Sequence, residues 1–400
     1  MRHGPGPVKP ETGQSCPGPG GFGFFRGRRC GPRQNALVMP PTQLSRGVAL
    51  AAGAAVLFGI TAPLLQRASA GVSSLVSGCL LYLGAGLGAV VLLAAQRRGP
   101  VPALWGGRGF LRLCLVAVVG AVIAPVLLVQ GLRHTDAATA SLLLALEAPV
   151  TLLLARVLLR EHLGRRVLIA ALCILGGGLL LALAPWLTGV AAVGDTAGHT
   201  MTSVATGSVL IFAACTAWAT DNLLSRVLAD EDPVGVVAGK GLLGALVSGL
   251  AVAALGQSLP GAGKVAALLA IGALGFGFSL QLYLRAQTLV GAGRTASVFA
   301  TAPFVGAAAA LALGSPWPGW AFPLAAALMM VGVALHVSER HSHRHTHEPL
   351  EHEHMHSHDD GHHDHSHDVA PVGPHSHPHR HDPITHDHEH SEDLHHRHVH

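Results

Sequence analysis

The chain is 400 residues long, half of them apolar, with 12% charged, 4% aromatic and a mean hydropathy of +0.45. This composition excludes an ordinary water-soluble domain and points to a membrane protein whose helices pack through small residues. The formal charge of +4 hides an asymmetry, with 23 Lys and Arg against 10 Asp and Glu before His341 and 3 against 12 from there on, and no basic stripe with interleaved aromatics marks a nucleic-acid partner.

Residues 1–44 are rich in Gly, Pro and Arg, so the sequence predicts a disordered arm and no secretory signal peptide. Met39 opens a more ordinary leader, which makes the preceding arm read as a dispensable extension. Cys16 and Cys30 lie in the arm and Cys79, Cys114, Cys173 and Cys215 singly in apolar runs; none forms a CxxC pair, and the four in the runs read as packing thiols.

From Gly47 to Val337 the chain consists of apolar runs of about 18 to 22 residues, each long enough to cross a hydrocarbon core of roughly 30 Å. Ten are predicted, at 47–66, 73–95, 111–132, 137–159, 165–185, 206–225, 234–255, 265–285, 294–313 and 320–338. The fold class is therefore an all-α membrane protein. Lys and Arg of short loops stay on the cytoplasmic side. Placing the N-terminus inside puts Arg97, Arg98, Arg108, Arg112, Arg160, Arg165, Arg166, Arg226, Arg294 and Arg340 there, and leaves the external linker 186–205 without a basic residue. Ten crossings return the C-terminus to the same side. The expected location is a bacterial-type inner membrane, multi-pass, with both termini cytoplasmic.

The halves repeat. Ala138 to Pro149 (ATASLLLALEAP) lines up with Ala292 to Pro303 (AGRTASVFATAP) at an offset of 154, and Leu57-Phe58-Gly59 faces Ala217-Trp218-Ala219. Five spans per half is odd, so the halves 47–185 and 206–338 are expected to run with opposite topology around a central site.

Gly131-Leu132-Arg133, Glu147-Ala148-Pro149, Leu158-Leu159-Arg160-Glu161 and Leu175-Gly176-Gly177-Gly178 resemble the EamA-type repeat of the drug/metabolite transporter superfamily. The second half is similar but degraded, since Leu311-Ala312-Leu313-Gly314 runs into Ser315-Pro316 with no counterpart of Glu161. The resemblance covers about residues 47–338. It implies a secondary transporter that exports a small solute, members of the family being exporters or exchangers of amino acids, metabolites, drugs or nucleotide sugars, and no enzyme activity. No GxxxxGK[ST] loop for ATP is present.

Ionisable groups inside spans are costly and mark candidate sites. Glu147 lies mid-span two residues before Pro149, and Asp221-Asn222 follow Trp218 in the sixth span. Glu147 is expected to couple substrate movement to protons. Gln281, Tyr283 and Arg285 toward the end of the eighth span, with Gln66 and Gln130 at other span ends, are candidate pathway residues. Pro63, Pro125, Pro149 and Pro303 lack the N–H that would bond four residues back and are expected to kink their helices.

Residues 339–400 form the tail, which holds 23 of the 28 histidines. The candidate metal ligands are His341, His343, His345 and His347; His352, His354, His356 and His358; His362, His363, His365 and His367; His375, His377, His379 and His381; and His386, His388 and His390. Imidazoles at HxH spacing among Asp and Glu suit Zn, Ni, Co or Cu, so transition-metal ions are expected partners, beside lipid and the small-molecule substrate. No cofactor is required, a homodimer is compatible with the sequence, and the tail is expected to be disordered until metal joins its ligands. Two other readings stay open: a dedicated divalent-metal transporter and a metal-responsive membrane regulator without transport. Against the former, no span carries an HxxxD, HNxxD or HxxxxDH motif, and His134 and His162 fall in loops.

Overall fold

The computed structural model describes residues 41–96, 107–159, 163–188, 201–226 and 232–337, together with four short tail strands. The arm before residue 41, residues 189–200 of the external linker and the tail outside its strands lie beyond the described residues, as do the side chains of every tail histidine.

Nine described helices are long and apolar enough to cross a membrane: α1 (Gln43–Ala68), α2 (Ser74–Ala95), α3 (Gly109–Leu132), α4 (Ala137–Leu159), α5 (Arg165–Leu187), α6 (Thr202–Ser225), α7 (Pro233–Ala254), α8 (Ala262–Val290) and α9 (Gly293–Ala312). A tenth apolar helix, α10 (Ala321–Val337), has 17 residues. At about 1.5 Å per residue it falls a little short of a full hydrocarbon core. The first span begins four residues earlier than its apolar run and the eighth extends to Val290, because Gln43, Ser45, Gln287 and Thr288 continue a helix that apolarity alone cannot track.

The helix starts follow from short polar side chains. Asp136 Oδ1 accepts from Thr139 N–H at 2.8 Å ahead of α4, Ser73 Oγ from Val76 N–H at 3.1 Å ahead of α2, and Asp232 Oδ2 from Gly235 N–H at 3.1 Å ahead of α7, where Pro233 occupies the first turn.

Neighbours are arranged symmetrically: α2 packs on α7, α4 on α9 and α5 on α10, while α1 against α8 mirrors α6 against α3, and α1 against α9 mirrors α6 against α4. Adding five to any span number maps these contacts onto one another. The closest crossings are backbone on backbone. A Cβ on Gly272 of α8 would lie 1.8 Å from Leu81 O of α2, and one on Gly306 of α9 would lie 2.5 Å from Gly59 O of α1. Without a hydrophobic driving force between helices in lipid, such close approach supplies the packing energy.

At one end of the bundle the α1–α2 turn is gripped from both halves. Gln66 Nε2 donates to Leu132 O at 2.7 Å and Thr135 O at 2.8 Å, Arg133 donates to Val72 O, Lys264 to Ala70 O, and Arg67 to Leu313 O. Gln130 Oε1 accepts from Ser74 Oγ at 2.7 Å. Gln66 and Gln130 thus serve as fasteners between helix ends. Beside this clasp a cavity of about 240 Å³ opens among Gln66, Arg67, Asp136 and Ala310.

Beyond α10 the described residues form strands β1 (Ser342–Thr346), β2 (Leu350–His356), β3 (His375–His381) and β4 (Thr385–Glu389). β1 pairs antiparallel with β4 and β2 with β3, so the described part of the tail is extended backbone in two ladders.

Candidate functional site

Four of the crossing helices carry an interruption just ahead of a proline. α1 breaks at Ile60 before Pro63, α3 turns π-helical over Ala117–Ile123 before Pro125, α4 tightens to 3-10 geometry over Leu144–Leu146 before Pro149, and α9 breaks at Ala300–Thr301 before Pro303. A proline cannot donate to the carbonyl four residues back, so the helix above it loses a bond and deforms. Two further π-helical segments, Ala155–Leu159 at the end of α4 and Ala273–Phe278 in α8, have no proline just after them.

The π turn of α3 builds the floor of the site. Ala124 N–H reaches five residues back to Val119 O, and the next donor in that pattern would be Pro125, which has none. Gly120 O is thereby freed, and Trp218 Nε1 of α6 donates to it at 3.0 Å while also lying 3.1 Å from Tyr82 Oη of α2. Gly120 has a second role. A Cβ there would sit 2.3 Å from Asp221 Oδ2, so only glycine leaves room for this carboxylate between α3 and α6.

Asp221 is 2% exposed and forms an ion pair with Lys240 of α7, while Ser225 Oγ lies 3.5 Å from its Oδ1. One residue along α6, Asn222 Nδ2 donates to Glu147 Oε1 at 2.9 Å across to α4. The fold therefore brings Glu147, Asn222, Asp221 and Trp218 together. Cys215 Sγ, one turn before Trp218, lies 3.6 Å from Leu143 O at the break in α4.

An aromatic row continues from this cluster. Phe276, in the π segment of α8, stands 6.4 Å from Trp218, 5.6 Å from Tyr82 and 5.6 Å from Phe58 of α1. Phe58 meets Phe299 of α9 at 5.3 Å, and Tyr283 closes edge-on against Phe299 at 5.0 Å. Tyr283 thus joins the site through rings alone. Gln281 is 8% exposed with a buried, unpaired Oε1, and neither it nor Tyr283 hydrogen-bonds to Glu147 or Asp221.

Sequence reading missed Lys240, Tyr82 and Phe276. The first was legible as a lone lysine eight residues into an apolar run, flanked by Gly239 and Gly241. Among the described residues no three His, Cys, Asp or Glu side chains gather where they could hold a metal ion, and His134 lies 3.3 Å from Ser203 Oγ in a loop contact.

The sequence profile described as the EamA-like transporter family matches the chain twice, at residues 45–183 and 205–338. An uncharacterized transporter of Methanothermobacter thermautotrophicus is 30% identical over 196 residues, which span 46% of this chain and 54% of that protein. An uncharacterized protein of Pseudomonas aeruginosa is 34% identical over 263 residues, 65% of this chain and 82% of its own length. A solved crystal structure superposes with a TM-score of 0.51 at 19% identity, covering 73% of this chain and 96% of the other, and so shares the fold.

Proposed function

The chain belongs to the EamA-like transporter family, and from this premise we propose that it is a proton-coupled secondary carrier that exports a small solute through a site built on Glu147, Asn222, Asp221 and Lys240. The observation that carries this reading is the density of charge inside the spans. Two carboxylates and an ammonium, held by hydrogen bonds and an ion pair among apolar helices, cost several kcal/mol each to desolvate, of the order of 3 kcal/mol on insertion scales, and serve no packing need that apolar residues would not meet better.

The two halves run with opposite topology, with both ends of the chain in the cytoplasm of a cell bounded by an inner membrane. The mirrored helix neighbours, the doubled family match and the distribution of Arg support this arrangement. The breaks in α1, α4 and α9 then lie beside the site, where half-helices can tilt as the carrier changes face. Glu147 takes up a proton on one side and yields it on the other as solute exchanges.

Inside-out vesicles carrying a pH gradient, reported by a permeant fluorescent amine, test this with a panel of amino acids, organic cations and nickel, cobalt and zinc salts as probes. The wild type is expected to dissipate the gradient on addition of its substrate, and Glu147→Gln to lose that response at every pH. An unchanged response in Glu147→Gln would refute the coupling role. A response to the metal salts alone would favour the divalent-metal carrier, which gains no support from a ligand cluster among the described residues.

On the same reading the tail is a cytoplasmic buffer or sensor for transition metal. Its 23 histidines support this, as does a register that sets His343 opposite His388, His345 opposite His386, His352 opposite His379 and His354 opposite His377. Neutral imidazole is the ligand, so occupancy is expected to fall as pH drops below about 6.5. Calorimetry of the full chain against a chain ending at residue 340 should show Ni²⁺ or Zn²⁺ binding only in the former; equal binding by both would contradict the assignment.

A further inference from the structure

A carboxylate inside a membrane span requires a counter-charge or a proton. The two acidic side chains of the site differ in which they have. Asp221 is ion-paired with Lys240, whereas the donor to Glu147 is the uncharged amide of Asn222. The remaining titratable groups facing them are Tyr82 from α2 and Cys215 on α6, neither of them a cationic side chain, while α3 and α8 contribute Gly120 and Phe276. Two negative charges and one positive are thus arranged so that Glu147 is the one left uncompensated.

The repeat supplies an internal comparison. With Phe58 aligned on Trp218, Thr61 of α1 falls on Asp221 of α6. Each occupies the notch left by a glycine in a π-helical segment: a Cβ on Gly275 would lie 2.3 Å from Thr61 Oγ1, as one on Gly120 would from Asp221 Oδ2. In the first half-site a hydroxyl fills the notch and donates to its own helix, Thr61 Oγ1 to Leu57 O at 3.0 Å. Packing in this position therefore needs no charge. In the second half-site an aspartate stands there, and a lysine from α7 reaches across to meet it. Both sit where a neutral residue suffices elsewhere in the same molecule.

We propose that Lys240 is a tethered counter-ion that keeps Asp221 ionised throughout the cycle, so that Glu147 alone carries a proton, one per turnover. This rests on the reading of Glu147 as the coupling group. Lys240 is a positioning residue here: its Nζ keeps its proton, the Asp221 carboxylate keeps its charge, and the site alternates between a net charge of −1 with Glu147 ionised and zero with Glu147 as the neutral acid. Removing Lys240 obliges Asp221 to find another cation, and in a closed span the available one is a proton.

The consequence can be read without knowing the substrate. Infrared difference spectra of the full chain in lipid nanodiscs, taken between acidic and alkaline buffer, report each buried carboxyl that takes up a proton through its carbonyl stretch, which shifts in deuterium oxide. The wild type is expected to show one such band, lost in Glu147→Gln. Lys240→Met should gain a second band of comparable area, and Lys240→Met combined with Asp221→Asn should lose it again. Absence of the second band in both Lys240→Met and Lys240→Gln would overturn the counter-ion role. A wild-type band that survives Glu147→Gln would instead sink the coupling role of Glu147, independently of what Lys240→Met shows. If neither single lysine variant is obtained folded, the double variant decides: recovery of a monodisperse protein with the Glu147 band supports the pairing, and failure to recover contradicts it.

Discussion

Gly272→Val is expected to prevent α2 and α8 from docking and to lower stability by about 3 kcal/mol or more, the upper range for overpacking. The reason is the crossing geometry. The first side-chain carbon would fall 1.8 Å from Leu81 O, a backbone atom that cannot rotate away, and Gly84 makes the reciprocal approach, with a Cβ there 2.1 Å from Leu269 O. Relief requires the two helix axes to separate, which parts Tyr82 from Phe276 and opens the aromatic row at its centre. Size-exclusion profiles and thermal unfolding in detergent should show aggregation or a large fall in Tm. Gly263→Ala is the matched control, because nothing lies within 4 Å of its Cβ position and its helical backbone is ordinary; a neutral result or a gain of about 0.5–1 kcal/mol is expected.

Gly120→Ala is expected to eliminate transport through a single methyl group. That carbon would lie 2.3 Å from Asp221 Oδ2 and 2.4 Å from its Cγ, so the carboxylate must leave the notch and Lys240 loses its partner. Breaking a buried pair while leaving one charge in place costs about 3–5 kcal/mol. Adding Asp221→Ser to Gly120→Ala shortens the side chain and should recover part of the thermal stability without restoring transport. Full activity in Gly120→Ala would show that Asp221 has no need of this position.

The spans were legible because lipid imposes a length and an apolar content on each of them, whereas the caps Ser73, Asp136 and Asp232 came only with the structure. Glu147, Asp221, Asn222 and Trp218 stood out for the same reason, as polar or aromatic breaks in apolar runs, and the structure brings them together. Lys240 was harder to see. A single lysine eight residues into a span can extend its long side chain back towards the interface, and only the glycine notch on α3 reveals why it turns inward. The aromatic row was not legible at all, because Phe276 reaches Trp218, Tyr82 and Phe58 by way of a π segment in α8 that has no sequence signature of its own. Gln281, read as lying near a span end, proves to be inside a helix that continues for nine more residues to Val290. The register of the tail strands likewise depends on pairing between segments separated by low-complexity sequence.

The most direct test of the account is the sidedness of the chain, since a site shared by two oppositely oriented five-span halves requires ten crossings, the last of them by the short α10. A reporter that fluoresces only in the cytoplasm and a second that is active only outside should be fused in turn after residue 317 and after His400. The expected result is an external signal at the first position and a cytoplasmic signal at the second. An external signal at His400 would leave nine crossings, break the antiparallel pairing of the halves and contradict the account.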